Sequence, residues 1–223
     1  MKRVLVVGAH ADDEVLGCGG TMARLAAEGA DVHVLLLADG ETSRDGARLQ
    51  EQEARKAAAA DAARILGCKS TISHDFPDNR LDSVDLLDIV KVIELRLAEL
   101  QPDTVFAHHN GDVNIDHRRV HEAVLAACRP QPGHSVKQLL FYEVASSTEW
   151  RPAGSGVPFV PNTFFDISST LIKKQAALNA YAAEMRDFPH ARSIEAVAAL
   201  AHWRGATVGV GAAEAFVLGR CIK

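Results

Sequence analysis

Short apolar runs that alternate with stretches of helical periodicity constrain this chain more than any other feature. The strand candidates are Arg3 to Val7, Asp31 to Leu37, Ser70 to Ser73, Asp103 to Ala107 and Gln138 to Val144, with Ala215 to Leu218 as a late addition. Between two of them, Leu86, Leu87, Ile89, Val90, Ile93 and Leu97 recur at the spacing of one buried helix face. The alanine-rich stretch Ala57 to Ala63 is flanked by Glu51, Glu53, Arg55 and Arg64, which marks an ordinary solvated helix. Such a βαβ succession builds a mostly parallel sheet flanked by helices. With 223 residues, the chain buries a substantial core and reads as a single α/β domain over residues 1–223.

A parallel sheet brings its strand ends to one edge, where open α/β folds put their ligand sites. The first strand runs directly into Gly-Ala-His-Ala-Asp-Asp-Glu, so His10, Asp12 and Asp13 share one strand-to-helix loop. If His10 and Asp13 bind a cation together, Asp12 points elsewhere and is free to handle a water's proton. The competing reading is that Asp12 and Asp13 cap the helix from Glu14 to Ala27, since Asp at a helix start satisfies orphan N–H groups.

A second polar loop, His108-His109-Asn110-Gly111-Asp112-Val113-Asn114-Ile115-Asp116-His117, follows the fourth strand and leads into a helix from His117 to Cys128. At the same sheet edge, His117 completes a His/Asp/His set with an open coordination position. That donor set favours catalytic zinc and is compatible with iron, manganese or cobalt.

The first segment resembles the Ala-His-Pro-Asp-Asp-Glu signature of the PIG-L/LmbE-like zinc-dependent N-deacetylases, and the second resembles their downstream Asp-His motif. Leu16-Gly17-Cys18-Gly19-Gly20, Leu37-Ala38-Asp39-Gly40-Glu41 and Ala213-Glu214-Ala215-Phe216 extend the likeness over nearly the whole chain. The resemblance implies a Rossmann-like fold and a metal held by His10, Asp13 and His117. It makes Asp12 the general base in hydrolysis of an N-acetylated amino sugar to acetate and free amine.

Two positions depart from the family pattern. Ala11 replaces the usual proline, which frees one φ angle and restores a backbone donor. Asn114 stands where a histidine stabilises the oxyanion in other branches; its amide donates a hydrogen bond but no proton. The remaining candidates for that role are His109 and His190, the latter in Phe188-Pro189-His190-Ala191-Arg192-Ser193, which resembles a His-Pro-Arg-Ser segment of the family. His121 sits one helical turn after His117 and reads as a packed or surface residue.

Asp39, Glu41, Arg44 and Asp78 lie in loops at the same edge and suit sugar hydroxyls, or serve as local turn and cap residues. Arg192 is a clamp for a carboxylate or phosphate, or half of an internal ion pair. The stretch Ser146 to Asn162, with Pro152, Pro158 and Pro161, reads as a long loop that roofs the site or contacts another copy in a homo-oligomer.

A formal charge of −5 without a basic cluster argues against nucleic acid and anionic membrane as partners and fits a small-molecule substrate. Cys18, Cys68, Cys128 and Cys221 show no metal spacing, and no apolar run reaches the ~20 residues of a spanning helix. The expectation is a cytoplasmic enzyme. Two other functions compete: a related amidase acting on a different acyl group, and a nucleotide-binding module built on Gly17, Gly19 and Gly20.

Overall fold

The computed structural model describes residues 1–40 and 49–223. Among these described residues, seven strands form one sheet in the order β3-β2-β1-β4-β5-β7-β6. They are β1 (Arg3–Gly8), β2 (Asp31–Ala38), β3 (Ser70–Phe76), β4 (Thr104–His108), β5 (Gln138–Tyr142), β6 (Thr163–Asp166) and β7 (Ala213–Cys221). The pairs among β1 to β5 are parallel, whereas β7 runs antiparallel to both β5 and β6. The mostly parallel α/β sheet expected from the alternation is therefore present.

Side chains alternate across β1 into two cores. Val4 and Val6 face one layer with α1 (Asp13–Ala27), α2 (Leu49–Leu66), α5 (Leu171–Ala180) and α6 (Ile194–Ala206). Leu5 and Val7 face the other, with α3 (Leu86–Leu100) and α4 (Ile115–Ala127). Burial on both faces explains why β1 is apolar at every position from Val4 to Val7. In α3 the buried residues are Ile89, Val90, Ile93 and Leu97, while Leu87, assigned to that face by its spacing, is 62% exposed.

The far edge of the sheet escaped the pattern. β6 is a four-residue strand, Thr-Phe-Phe-Asp, too short to show periodicity, and β7 extends beyond Ala215 to Leu218 at both ends. Residues 146–162, expected to lack regular structure, contain no helix or strand.

α1 carries a break that the glycine-rich segment and the C-terminal strand repair together. Its backbone leaves helical values at Cys18 (φ −145°, ψ 23°), which frees donors and acceptors inside the helix. Glu214 of β7 accepts from the N–H groups of Gly20 (2.9 Å) and Thr21 (2.7 Å), and Lys174 of α5 donates to the Leu16 carbonyl (2.8 Å). Lys174 and Glu214 also pair with each other at 2.6 Å, both buried. Gly17 is required by packing, because a Cβ there would strike the Tyr142 ring. These glycines therefore let a broken helix lie close to the sheet; they do not form a phosphate-binding loop.

Among the described residues, no helix is long and apolar enough to cross a membrane.

Candidate active site

β1 and β4 are neighbours, while the chain leaves them toward opposite edges of the sheet, β1 to β2 and β4 to β5. Their C-terminal ends therefore flank a topological switch point, where an open α/β sheet leaves a crevice. The β1–α1 loop delivers His10 and Asp12 there and the first residue of α1 delivers Asp13, while the β4–α4 loop with the first turn of α4 delivers Asp112, Asp116 and His117.

His10, Asp13 and His117 each offer one ligand atom within a set whose members lie within 4.8 Å of one another. The Asp13 Oδ2 atom is 3.3 Å from His10 Nδ1 and 3.3 Å from His117 Nε2. Two atoms in this set, His117 Nε2 and Asp13 Oδ1, are buried without a hydrogen-bond partner among the described residues. Unpaired buried polar atoms are costly, and here they converge, as a cation site requires.

Both imidazoles are held from behind by carboxylates. Asp112 Oδ2 lies 3.1 Å from His117 Nδ1, and Asp116 Oδ2 lies 3.0 Å from His10 Nε2. Each partner fixes the ring so that its other nitrogen faces the cluster, the arrangement that tunes imidazole ligands. Asp116 is itself fixed by the N–H groups of Asn79 (2.7 Å) and Leu81 (2.9 Å). Asp112 accepts from the hydroxyls of Ser147 and Thr148 just after β5. A third imidazole, His108, stacks on His117 with centroids 3.9 Å apart. Burial, reinforced by the His117 ring, pushes its pKa down to about 4, so it stays neutral and its Nε2 accepts from the Ala9 N–H at 2.9 Å.

Asp12 occupies the N-cap position of α1 yet makes no side-chain capping bond. Its backbone sits at φ +120°, a region unfavourable for a residue with a side chain. Its Oδ2 instead pairs with Arg192 Nη1 at 2.8 Å. Burial pushes the Asp12 carboxyl up to about 7, against the pull of the Arg192 guanidinium. The strained backbone is braced from below: the Asp12 N–H donates to Glu14 Oε2 (3.1 Å), and the Tyr181 hydroxyl donates to Glu14 Oε1 (2.6 Å).

His10 and Asp12 open onto a polar cleft of about 130 Å³ lined also by Gly40, Arg55, Asp78, Asn79, Asn114, Glu184 and Arg192. The metal-capable cluster, a base candidate and a small polar cleft thus meet at one point. Against known families, residues 5–128, more than half of the chain, match PIG-L, described as GlcNAc-PI de-N-acetylase.

The chain belongs to the PIG-L family.

It is 33% identical over 168 residues to the uncharacterized deacetylase YaiS of Escherichia coli, covering 73% of this chain and 80% of that one. It is 29% identical to the 1D-myo-inositol 2-acetamido-2-deoxy-alpha-D-glucopyranoside deacetylase of Rhodococcus jostii, over 84% and 83% of the two chains. Among solved structures, GalB of Pseudomonas putida, a 4-carboxy-2-hydroxymuconate hydratase, superposes with a TM-score of 0.81 at 25% identity, over 100% and 98% of the chains. The relatives of this PIG-L chain thus include N-deacetylases of amino-sugar conjugates, and the scaffold also carries a hydratase.

Asp78 lines the cleft 3.1 Å from His10 Nε2. Asn114 also lines it, but its side chain is built into the frame: Oδ1 caps α4 at the Asp116 N–H, and Nδ2 donates to Asn79. His109 is buried outside the cleft lining, with Nε2 3.1 Å from the Val157 carbonyl. His190 is likewise outside the lining; its Nδ1 accepts from the Arg192 N–H, and its ring meets Trp150 edge-on. Arg192 forms the internal ion pair that was one of its two readings. Arg44 and Glu41 lie outside the described residues.

His121 is packed, its Nδ1 2.9 Å from the His108 carbonyl. The loop of residues 146–162 braces the β4–α4 loop without lining the cleft: Arg151 donates to the Asp112 carbonyl, and a Cβ on Gly111 would strike Val157. Sequence reasoning passed over Arg55 and Glu184, a half-exposed-looking helix residue and a loop acid, which pair at 2.5 Å in the cleft wall. It also gave no role to Asp112, Asp116, Glu14 or Tyr181. Asp112 and Asp116 in the polar loop and Glu14 at the end of the first motif carried a signal; Tyr181 carried none.

Proposed function

We propose that this PIG-L chain is a metal-dependent N-deacetylase that hydrolyses the acetamide of an N-acetylated amino-sugar conjugate to acetate and free amine. The convergence of His10, Asp13 and His117, with His117 Nε2 and Asp13 Oδ1 unpartnered beside Asp12, carries this reading. Those three residues would hold the metal, for which the mixed nitrogen and oxygen donors favour zinc. When bound, the metal would polarise the amide carbonyl and acidify a water.

Asp12 lies beside this cluster on the open side of the cleft and takes the water's proton as the water oxygen bonds to the carbonyl carbon. The same carboxylic acid then gives the proton to the amide nitrogen as the C–N bond breaks. The environment of Asp12 suits both roles, since burial and Arg192 act on it in opposite directions and hold it near neutrality. Asp78, Asn79 and Glu184 supply acceptors and donors for sugar hydroxyls around a cleft of small size. We assign it a small-molecule partner and, from its four free thiols, a reducing cytoplasmic setting.

The hydratase relative supports a second reading, addition of water to an unsaturated acid. Asp12 and Glu184 of the lining are each paired with an arginine, so the charge of the cleft does not decide between the two; the deacetylase relatives favour the amino sugar.

One experiment separates the two. Metal-loaded and chelator-treated protein is incubated with N-acetylhexosamines, N-acetylglucosaminyl conjugates and their nucleotide-linked forms, and with an unsaturated dicarboxylic oxo acid. Acetate release that the chelator abolishes supports the deacetylase. Hydration of the oxo acid without acetate release refutes it.

A further inference from the structure

Amide hydrolysis places negative charge on the former carbonyl oxygen, where a preorganised protein donor lowers the barrier further than a metal would by itself. The sequence reading left this role open among Asn114, His109 and His190. The structure engages all three elsewhere, with Asn114 in the α4 cap, His109 on the Val157 carbonyl and His190 against Arg192 N–H and Trp150. Arg55, the other arginine of the cleft wall among the described residues, is paired with Glu184.

Arg192 is held differently. Its Nε donates to Ser146 Oγ at 2.7 Å and its Nη1 to Asp12 Oδ2 at 2.8 Å. These two bonds fix the plane of the guanidinium in the cleft lining. Nη2 makes no hydrogen bond among the described residues, yet it is not sealed in the interior, and the side chain retains 23% exposure. A rigid, always-charged fork with one nitrogen uncommitted beside the general base is a preorganised donor.

We propose that Arg192 is a catalytic residue of this enzyme, whose Nη2 donates to the oxyanion of the tetrahedral intermediate. The inference rests on the deacetylase reading above. The charge balance fits: as Asp12 takes the water's proton its carboxylate charge disappears, and one negative charge appears on the carbonyl oxygen. Arg192 donates a hydrogen bond to one negative charge throughout, first on Asp12 and then on the substrate. When the C–N bond breaks, the oxyanion returns to a carbonyl and Asp12 becomes a carboxylate again.

A role in stabilising the oxyanion differs from a role in merely holding Asp12, and the acyl group tells them apart. Fluorines on the acyl methyl stabilise the oxyanion themselves, so such a substrate needs less from the protein. The test measures metal-loaded wild type, Arg192→Met and Arg192→Lys on p-nitrophenyl N-acetyl-glucosaminide and its N-trifluoroacetyl analogue, following acetate and trifluoroacetate by NMR. Arg192→Lys keeps the positive charge beside Asp12 and loses the fork.

The expected result is a kcat loss of about 10²–10³ for both variants on the acetamide. The loss on the trifluoroacetamide is at least ten times smaller, with KM and bound metal nearly unchanged. Equal losses on the two substrates overturn the proposal and leave Arg192 as a positioning residue for Asp12. Arg192→Lys at wild-type rate on the acetamide overturns it too. A wild-type enzyme that retains metal and cleaves neither amide, nor any in the wider panel, refutes the deacetylase reading itself.

Discussion

The two strand ends at the switch point divide the work unequally. After β1, consecutive side chains from Asp12 to Glu14 are all buried at the site, beside a partly exposed His10: two of the four belong to the metal-capable set, one lines the cleft and one lies beneath it. After β4, only His117 joins that set, while Asp112 and Asp116 stand behind the two imidazoles and His108 lies stacked below. The props also cross over, since Asp116 from the β4 side holds His10 from the β1 side. One corner thus carries most of the chemistry and the other carries most of the geometry. A dense run of reactive side chains stays ordered because a second loop, remote in sequence, satisfies its polar atoms.

That division can be broken by substitution. His117→Ala, which removes the one β4-side member of the metal set, is expected to abolish metal binding by elemental analysis and to cost at least about 10³ in acetate release. Asp12→Asn is expected to keep stoichiometric metal and to lower kcat by about 10²–10⁴. Loss of metal from Asp12→Asn would move it into the ligand set and undo the separation of roles within the β1 corner.

Asp112→Asn and Asp116→Asn sharpen the picture, because each removes charge from behind an imidazole and leaves its size. Each should weaken metal affinity about 10–100-fold in a competition titration while the loaded enzyme still turns over. A total loss with Asp116→Asn would make it a ligand, in a second cluster with His10 and Asp78, rather than a prop. The smallest effect belongs to Tyr181→Phe. It strips the 2.6 Å hydrogen bond from buried Glu14 and should cost about 1 kcal/mol of stability by denaturant titration, with a several-fold fall in kcat and unchanged metal content. A wild-type kcat in that variant would separate the Glu14 brace from the placement of Asp12.

Local sequence made the β1 corner legible. An apolar strand followed at once by His, Asp, Asp and Glu leaves few places for those side chains except a strand-end site, and the helix after it follows from its own periodicity. The capping alternative for Asp12 was undecidable at that level, because a capping Asp and a catalytic Asp precede a helix in the same way. The fold removes the capping reading, since the Asp12 carboxylate makes no capping bond and pairs instead with Arg192, 180 residues away in sequence. Leu87 and β6 mark a second limit. Spacing places a side chain on a helix face without saying how wide the buried stripe is, and a four-residue edge strand takes its identity from the neighbour it pairs with.

The sequence by itself determined the parallel βαβ core, the edge at which the site lies and the residues able to bind a cation there, because apolar periodicity and side-chain chemistry are local properties. Tertiary structure alone decided which carboxylates stand behind the imidazoles, how Glu214 and Lys174 mend the break in α1, and that Arg192 and not His190 faces Asp12. Those are pairings between groups far apart in the chain. Their physical basis is that a buried charge or orphan donor must find a partner, and the fold determines which partner is within reach.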